Sequence, residues 1–160
     1  MNWKAKSMKM PFIALFFTAL FSTQTQAISY AVVGPCSPES LYAGSFKVDL
    51  KENLGAISLA IFENQNIPFS GTEYGMSSIV NTPVGIDAIE VLSDTKMRAY
   101  GWCFSVNGII PDVLSNEVFF TNQNDYLLWF YAYSTYDQGV WTDYCEPSHQ
   151  IKAQQFCKNP

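Results

Sequence analysis

Residues 126–133 read Tyr-Leu-Leu-Trp-Phe-Tyr-Ala-Tyr, and this run constrains the fold more than any other stretch of the chain. Eight consecutive apolar or aromatic side chains leave a strand no wet face, and their aromatic content favours strand over helix. A strand that is apolar on both faces sits in the middle of a sheet with cover on each side. The rest of the chain must supply that cover.

Further strands are predicted at Ser45–Glu52, whose apolar and charged residues alternate, at Ala56–Phe62, and at Asp87–Leu92, Met97–Val106 and Glu117–Thr121. Pro68 places Ile67–Phe69 at an edge or a strand end. Asn107-Gly108 closes Met97–Val106 with the dipeptide best suited to a type I′ turn, because both residues tolerate positive φ. Pro111 then keeps the following segment irregular. Helical signals are weak: Gly75 and Pro83 leave room only for a turn around Met76–Ile79, and Ser148 is placed to cap a short helix over His149–Phe156. Residues 28–44, with two prolines and two glycines, read as an irregular lead-in. The residues by themselves predict a small, mainly β domain, as compatible with a sandwich as with a mixed sheet.

The N-terminus sets the compartment. Lys4, Lys6 and Lys9, the apolar run Pro11–Phe21 and the polar stretch ending Thr25-Gln26-Ala27 have the three parts of a secretory signal, cut after Ala27. No later stretch is long and apolar enough to span a bilayer. Residues 28–160 carry six basic side chains against fourteen acidic ones, a net charge of −8 that repels phosphate backbones and excludes nucleic acid as a partner. In an exported chain Cys36, Cys103, Cys145 and Cys157 read as two disulfides. Cys145 with Cys157 is expected from their closeness, and Cys36 with Cys103 by elimination.

Gly101-Trp102-Cys103-Phe104-Ser105-Val106-Asn107-Gly108-Ile109-Ile110-Pro111 resembles the signature of the transcobalamin C-terminal-like domain family, exported bacterial modules related to the smaller domain of animal cobalamin carriers. Ser115–Thr121, the turn Asn122–Asp125 and Tyr126–Tyr133 follow in the family's order, so the resemblance covers about residues 86–135; Cys103 stands where the family more often has an apolar residue. It implies a β-grasp-like mixed sheet crossed by one short helix between the second and third strands. The β domain would span 45–140, and 141–160 would be a disulfide-tied extension. In the cobalamin carriers this domain covers one face of a corrinoid while a helical domain holds the other. Half of that clamp is missing here, so no cofactor is expected for this chain alone.

Catalytic and metal constellations are sparse. His149 is the sole histidine and falls in a polar tail, where it reads as an exposed helix residue and leaves no source for a nucleophile–base pair. Asp87 with Glu90, and Asp137 with Asp143, read as solvated carboxylates, while Asp112, Asn116 and Glu117 lack calcium-loop spacing. Neither catalytic nor metal residues are assigned. The aromatics say more: ten lie between Phe119 and Tyr144, more rings than a domain of this size needs inside. Trp129 and Phe130 read as core. Tyr131, Tyr133, Tyr136, Trp141 and Tyr144 are the candidate surface rings, and Trp102 is divided between core and rim. The expected function is a non-catalytic exported binding module for an envelope protein, glycan or small molecule. The alternatives are a structural or oligomerising envelope protein and, further off, corrinoid binding, a small hydrolase or an inhibitor.

Overall fold

The computed structural model describes residues 27–157. The proposed signal segment and cleavage region therefore lie almost wholly outside the described residues. Eight strands and one α-helix follow in order: β1 Ile28–Val33, β2 Ser40–Phe46, α1 Leu54–Asn64, β3 Phe69–Thr72, β4 Gly75–Ile79, β5 Ile89–Ser93, β6 Lys96–Val106, β7 Tyr126–Asp137 and β8 Val140–Pro147. The main sheet runs β2-β1-β7-β6-β5, with β1 parallel to β7 and the other pairs antiparallel; β3 and β4 form a separate hairpin. A first hairpin, one helix and a late strand parallel to β1 make a β-grasp-like mixed sheet, so the fold class is mainly β within α+β.

The apolar run sits where its composition requires. β7 lies between β1 and β6 over its first half, and β8 replaces β1 as its neighbour over the second half. On one face, Leu127, Trp129 and Tyr131 pack with Tyr100 and Trp102 of β6 and with α1. On the other, Phe130 and Ala132 pack with Val33, Cys103 and Cys145.

Several expectations are corrected. Residues 28–44 are not an irregular lead-in: β1 is an interior strand between β2 and β7, and Ile28 and Val32 are fully buried. The helix is α1, where Ala56–Phe62 reads as a strand, and not a turn near Met76–Ile79, which is β4. Leu54, Ile57, Ser58, Ile61 and Phe62 are buried at helical spacing, and the Asn53 side chain accepts from the Ala56 amide at 2.8 Å to cap the start. Ser58 belongs inside because it donates to the Leu54 carbonyl and accepts from Trp129 Nε1 at 2.9 Å. Gly55 is required: a Cβ there would lie 1.8 Å from the Glu73 carbonyl oxygen. Ser45–Glu52 is strand only to Phe46, Glu117–Thr121 gives a single bridge from Phe119 to Asn53, and the tail forms only a 3-10 turn at Ser148–Gln150.

The disulfides are Cys36–Cys157 and Cys103–Cys145, the reverse of the expected pairing. Sequence closeness misleads because Cys145 lies on β8 and bends over the sheet to β6. Cys157 ends a tail that packs Phe156 against Tyr100 and Tyr131 and returns to the end of β1. Two disulfides fit an oxidising environment outside the reducing cytosol. No helix among the described residues is long and apolar enough to cross a membrane.

Candidate functional site

β8, one of the strands that the sequence does not announce, builds the site. β7 reverses into it through Gln138-Gly139, both at positive φ, and the Tyr136 and Trp141 rings then meet at 5.2 Å between centroids. Beyond Thr142 the strand leaves regular geometry: Asp143 (φ 50°) and Cys145 (φ 54°) take left-handed conformations on either side of Tyr144. Each such residue costs about 1–3 kcal/mol and persists only where its surroundings impose it. The surroundings here are the Cys103–Cys145 bridge and a hydrogen bond from the Cys145 amide to Ser134 Oγ at 3.4 Å. The result is an arch with Tyr144 at its top, 73% exposed, and Trp141 at its foot, 48% exposed.

Under the arch the sheet is shaved flat. Strand alternation turns Ala99, Gly101 and Cys103 of β6 to the same face as Ala132 and Ser134 of β7, with Gly101 directly opposite Ala132. These small residues floor a groove of about 420 Å³ whose walls are Trp141, Tyr144 and the disulfide. A Cβ on Gly101 would meet nothing within 4 Å, so the space above it is empty.

Beyond the disulfide a second and larger cleft of about 700 Å³ opens between β6, the β3–β4 hairpin and the loop after Pro111. Tyr74, Ile110, Val113 and Leu114 give it an exposed apolar rim, and Asp112 and Glu117 are its acidic groups. Tyr144 and the disulfide border both cavities.

The candidate rings divide. Trp141 and Tyr144 are surface residues, and Tyr136 is half-buried against Trp141. Tyr131 is corrected to core: it is 0% exposed, and burial pushes its hydroxyl up to about 12. Tyr133 is half-buried on the helix side, with the Arg98 guanidinium 5.4 Å over its ring. Trp102 is 9% exposed and donates from Nε1 to Thr82 Oγ1 at 2.7 Å, so it anchors the core while an edge of it reaches the larger cleft. The rim residues Tyr74, Val113 and Leu114 were missed, since they stand in segments without strand or helix periodicity.

Two of the carboxylates considered for chemistry, Glu90 and Asp137, are held by cations. Glu90 accepts from Tyr100 Oη at 2.6 Å and from Arg98 at 3.3 Å, and Asp137 pairs with Lys96 at 3.1 Å. His149 is corrected from an exposed helix residue to a half-buried one. It lines a third cavity of about 300 Å³ beside Phe130, and its Nδ1 is buried without a partner. Among the described residues no three of His, Cys, Asp and Glu gather as a metal site requires.

No family model matches the sequence, and no curated protein matches it. A crystal structure from Ruminococcus gnavus, described as a "putative metal binding protein", is similar over 66% of this chain and 94% of its own, with 13% identity and a TM-score of 0.43.

Proposed function

We propose that this chain is an exported, non-catalytic binding domain of the transcobalamin C-terminal-like kind. On this reading it takes an envelope glycan, protein segment or small molecule between the β8 aromatics and the small-residue floor. One observation carries the proposal. Two left-handed residues and a disulfide hold Tyr144 and Trp141 in water above an empty floor, although burying such rings would stabilise the fold. Strained backbone and exposed Trp and Tyr collect where a surface meets a partner. The order of hairpin, helix and closing strands, and the Asn107-Gly108 turn after β6, support the family resemblance. An N-terminal signal cut after Ala27 would deliver the domain to the compartment in which its disulfides form.

The test is a panel of cell-envelope polysaccharides and peptides screened by intrinsic fluorescence, followed by Trp141→Ala and Tyr144→Ala. Binding should fall by about 2 kcal/mol in each, the size of a hot spot, with stability within about 0.5 kcal/mol of wild type. Ligands that bind both variants undiminished would contradict the reading. Concentration-dependent mass by light scattering, abolished in the same variants, would instead make the aromatics an oligomer interface.

A further inference from the structure

The cleft of about 700 Å³ has the size of a small-molecule site, and its lining selects among small molecules. The apolar rim gathers from separate parts of the chain: Tyr74 from the turn between β3 and β4, Val113 and Leu114 from the loop after Pro111, and Tyr144 from β8. All four are exposed, and exposed apolar groups that converge on one cavity mark a binding surface where scattered ones do not. The buried wall is aromatic, with Trp102 and with Phe104 lying 5.2 Å from Trp129 between ring centroids. These walls are fixed before any ligand arrives. Ser115 is buried and donates from Oγ to the Glu73 carbonyl at 2.7 Å, tying the loop to the β3–β4 hairpin, while Cys103–Cys145 ties β8 to β6. The charged groups are of one sign: Asp112 and Glu117 line the cleft, and no Lys, Arg or His does. Glu117 Oε1 accepts the Leu114 amide at 3.3 Å, which holds its carboxylate to the loop. Unlike Glu90 and Asp137, neither carboxylate is paired with a Lys or Arg among the described residues.

We infer that this cleft binds a small organic cation, an amine or quaternary ammonium carried on an aromatic body. The body gains by leaving water for the rim and the aromatic wall. The cation gains from the two unpaired carboxylates and from the faces of the rings, whose quadrupoles attract positive charge. Anions are turned away by the same carboxylates and by the net charge of −8 beyond residue 27. A neutral apolar molecule of the same shape uses the rings but not the carboxylates, and so binds more weakly. The occupant is a free molecule, since the single aliphatic stem of a partner's lysine would leave most of the cleft empty. The inference stands apart from the groove under β8, because Gly101, Ala132 and Trp141 line the groove and not the cleft.

The experiment titrates the purified protein, followed by NMR, with three probes of nearly one shape: naphthylbutylamine, naphthylbutanol and naphthylbutanoate. The amine should shift the indole N–H signals of Trp102 and Trp129 and leave that of Trp141 in place. The alcohol should bind at least about fivefold more weakly than the amine, and the carboxylate at least about tenfold. Asp112→Asn with Glu117→Gln keeps the shape of two exposed side chains; it should bring the amine down to the affinity of the alcohol and leave the alcohol unchanged. Tyr74→Ala should weaken amine and alcohol alike, since it removes wall and not charge. Gly101→Leu should bind the amine as wild type does, so that a failed groove and a failed cleft are told apart. Undiminished amine binding in the double variant, an alcohol or carboxylate that binds as tightly as the amine, shifts at Trp141 alone, or no amine binding at about 5 mM would each overturn the inference.

Discussion

Single residues around one turn carry much of the local order. Asn107 (φ 53°) and Gly108 (φ 80°) are both left-handed, as a type I′ reversal needs, and the turn closes with the Ile109 amide on the Val106 carbonyl at 3.0 Å. Gly108→Val should cost at least ~1 kcal/mol in a denaturant melt, because a β-branched residue is strained at that φ. Asn107 does more than turn the chain. It donates to Asp125 Oδ1 at 2.9 Å and accepts the Tyr126 amide at 2.8 Å, while the Thr121 and Asn122 amides donate to Asp125 Oδ2 at 2.9 and 3.0 Å. Burial raises the carboxyl of this 6% exposed residue, but the bonds from Asn107, Asn122 and Thr121 outweigh burial and hold it below its ordinary value. The native state therefore binds fewer protons than the unfolded chain, and stability present above about pH 4 is lost as pH falls through the native value. Asp125→Ala should cost about 2–3 kcal/mol at neutral pH, and Asp125→Asn should flatten the acid limb of the stability profile. An acid limb identical in wild type and Asp125→Asn would place the acid sensitivity elsewhere.

At the level of elements, the sequence spoke clearly where one pattern dominates and misled where two compete. The apolar run fixed β7 as a central strand, and β6 with its turn was legible from Met97 to Gly108. The helix was not, because Ala56–Phe62 is apolar at almost every position; its 3.6 period appears only when Leu54 and the polar Ser58 are counted with Ile57, Ile61 and Phe62 as the buried set. Gly55→Ala tests that packing: with the Glu73 carbonyl in the way, the helix must move off the β3–β4 hairpin, and a loss of about 3 kcal/mol is expected. β8 escaped because Gln138-Gly139 is an uncommon reversal and the residues after Trp141 are polar, as befits a strand that lines a wet groove. The two exposed rings were still legible from their residue type. The floor beneath them was not, since Gly101, Ala132 and Ser134 acquire meaning only when the register brings them together. The cysteine pairing failed for the same reason, being a property of topology rather than of spacing.

At the scale of the molecule, the two disulfides do different work. Cys36–Cys157 ties the end of β1 to the tail over a separation of 121 residues, and Cys103–Cys145 closes 42. In the chain-entropy picture each restricts the unfolded state by about 4–5 kcal/mol, with the longer loop slightly ahead. Replacing both Cys36 and Cys157 by Ser should therefore lower global stability, read by denaturant melt, without changing the groove. Replacing Cys103 and Cys145 should also release the arch, so that Tyr144 loses its fixed position. Function rests on whether the space above Gly101 is a binding surface, and Gly101→Leu reports on it most directly, because the new side chain enters open space. Thermal shift of wild type and Gly101→Leu against the same envelope panel is the decisive measurement. Wild type should gain about 2.7 kcal/mol from a panel member at 100 times its Kd. Gly101→Leu should melt within about 0.5 kcal/mol of wild type and lose that gain. A gain that persists in Gly101→Leu would contradict the account, as would a variant that melts several degrees early without any ligand.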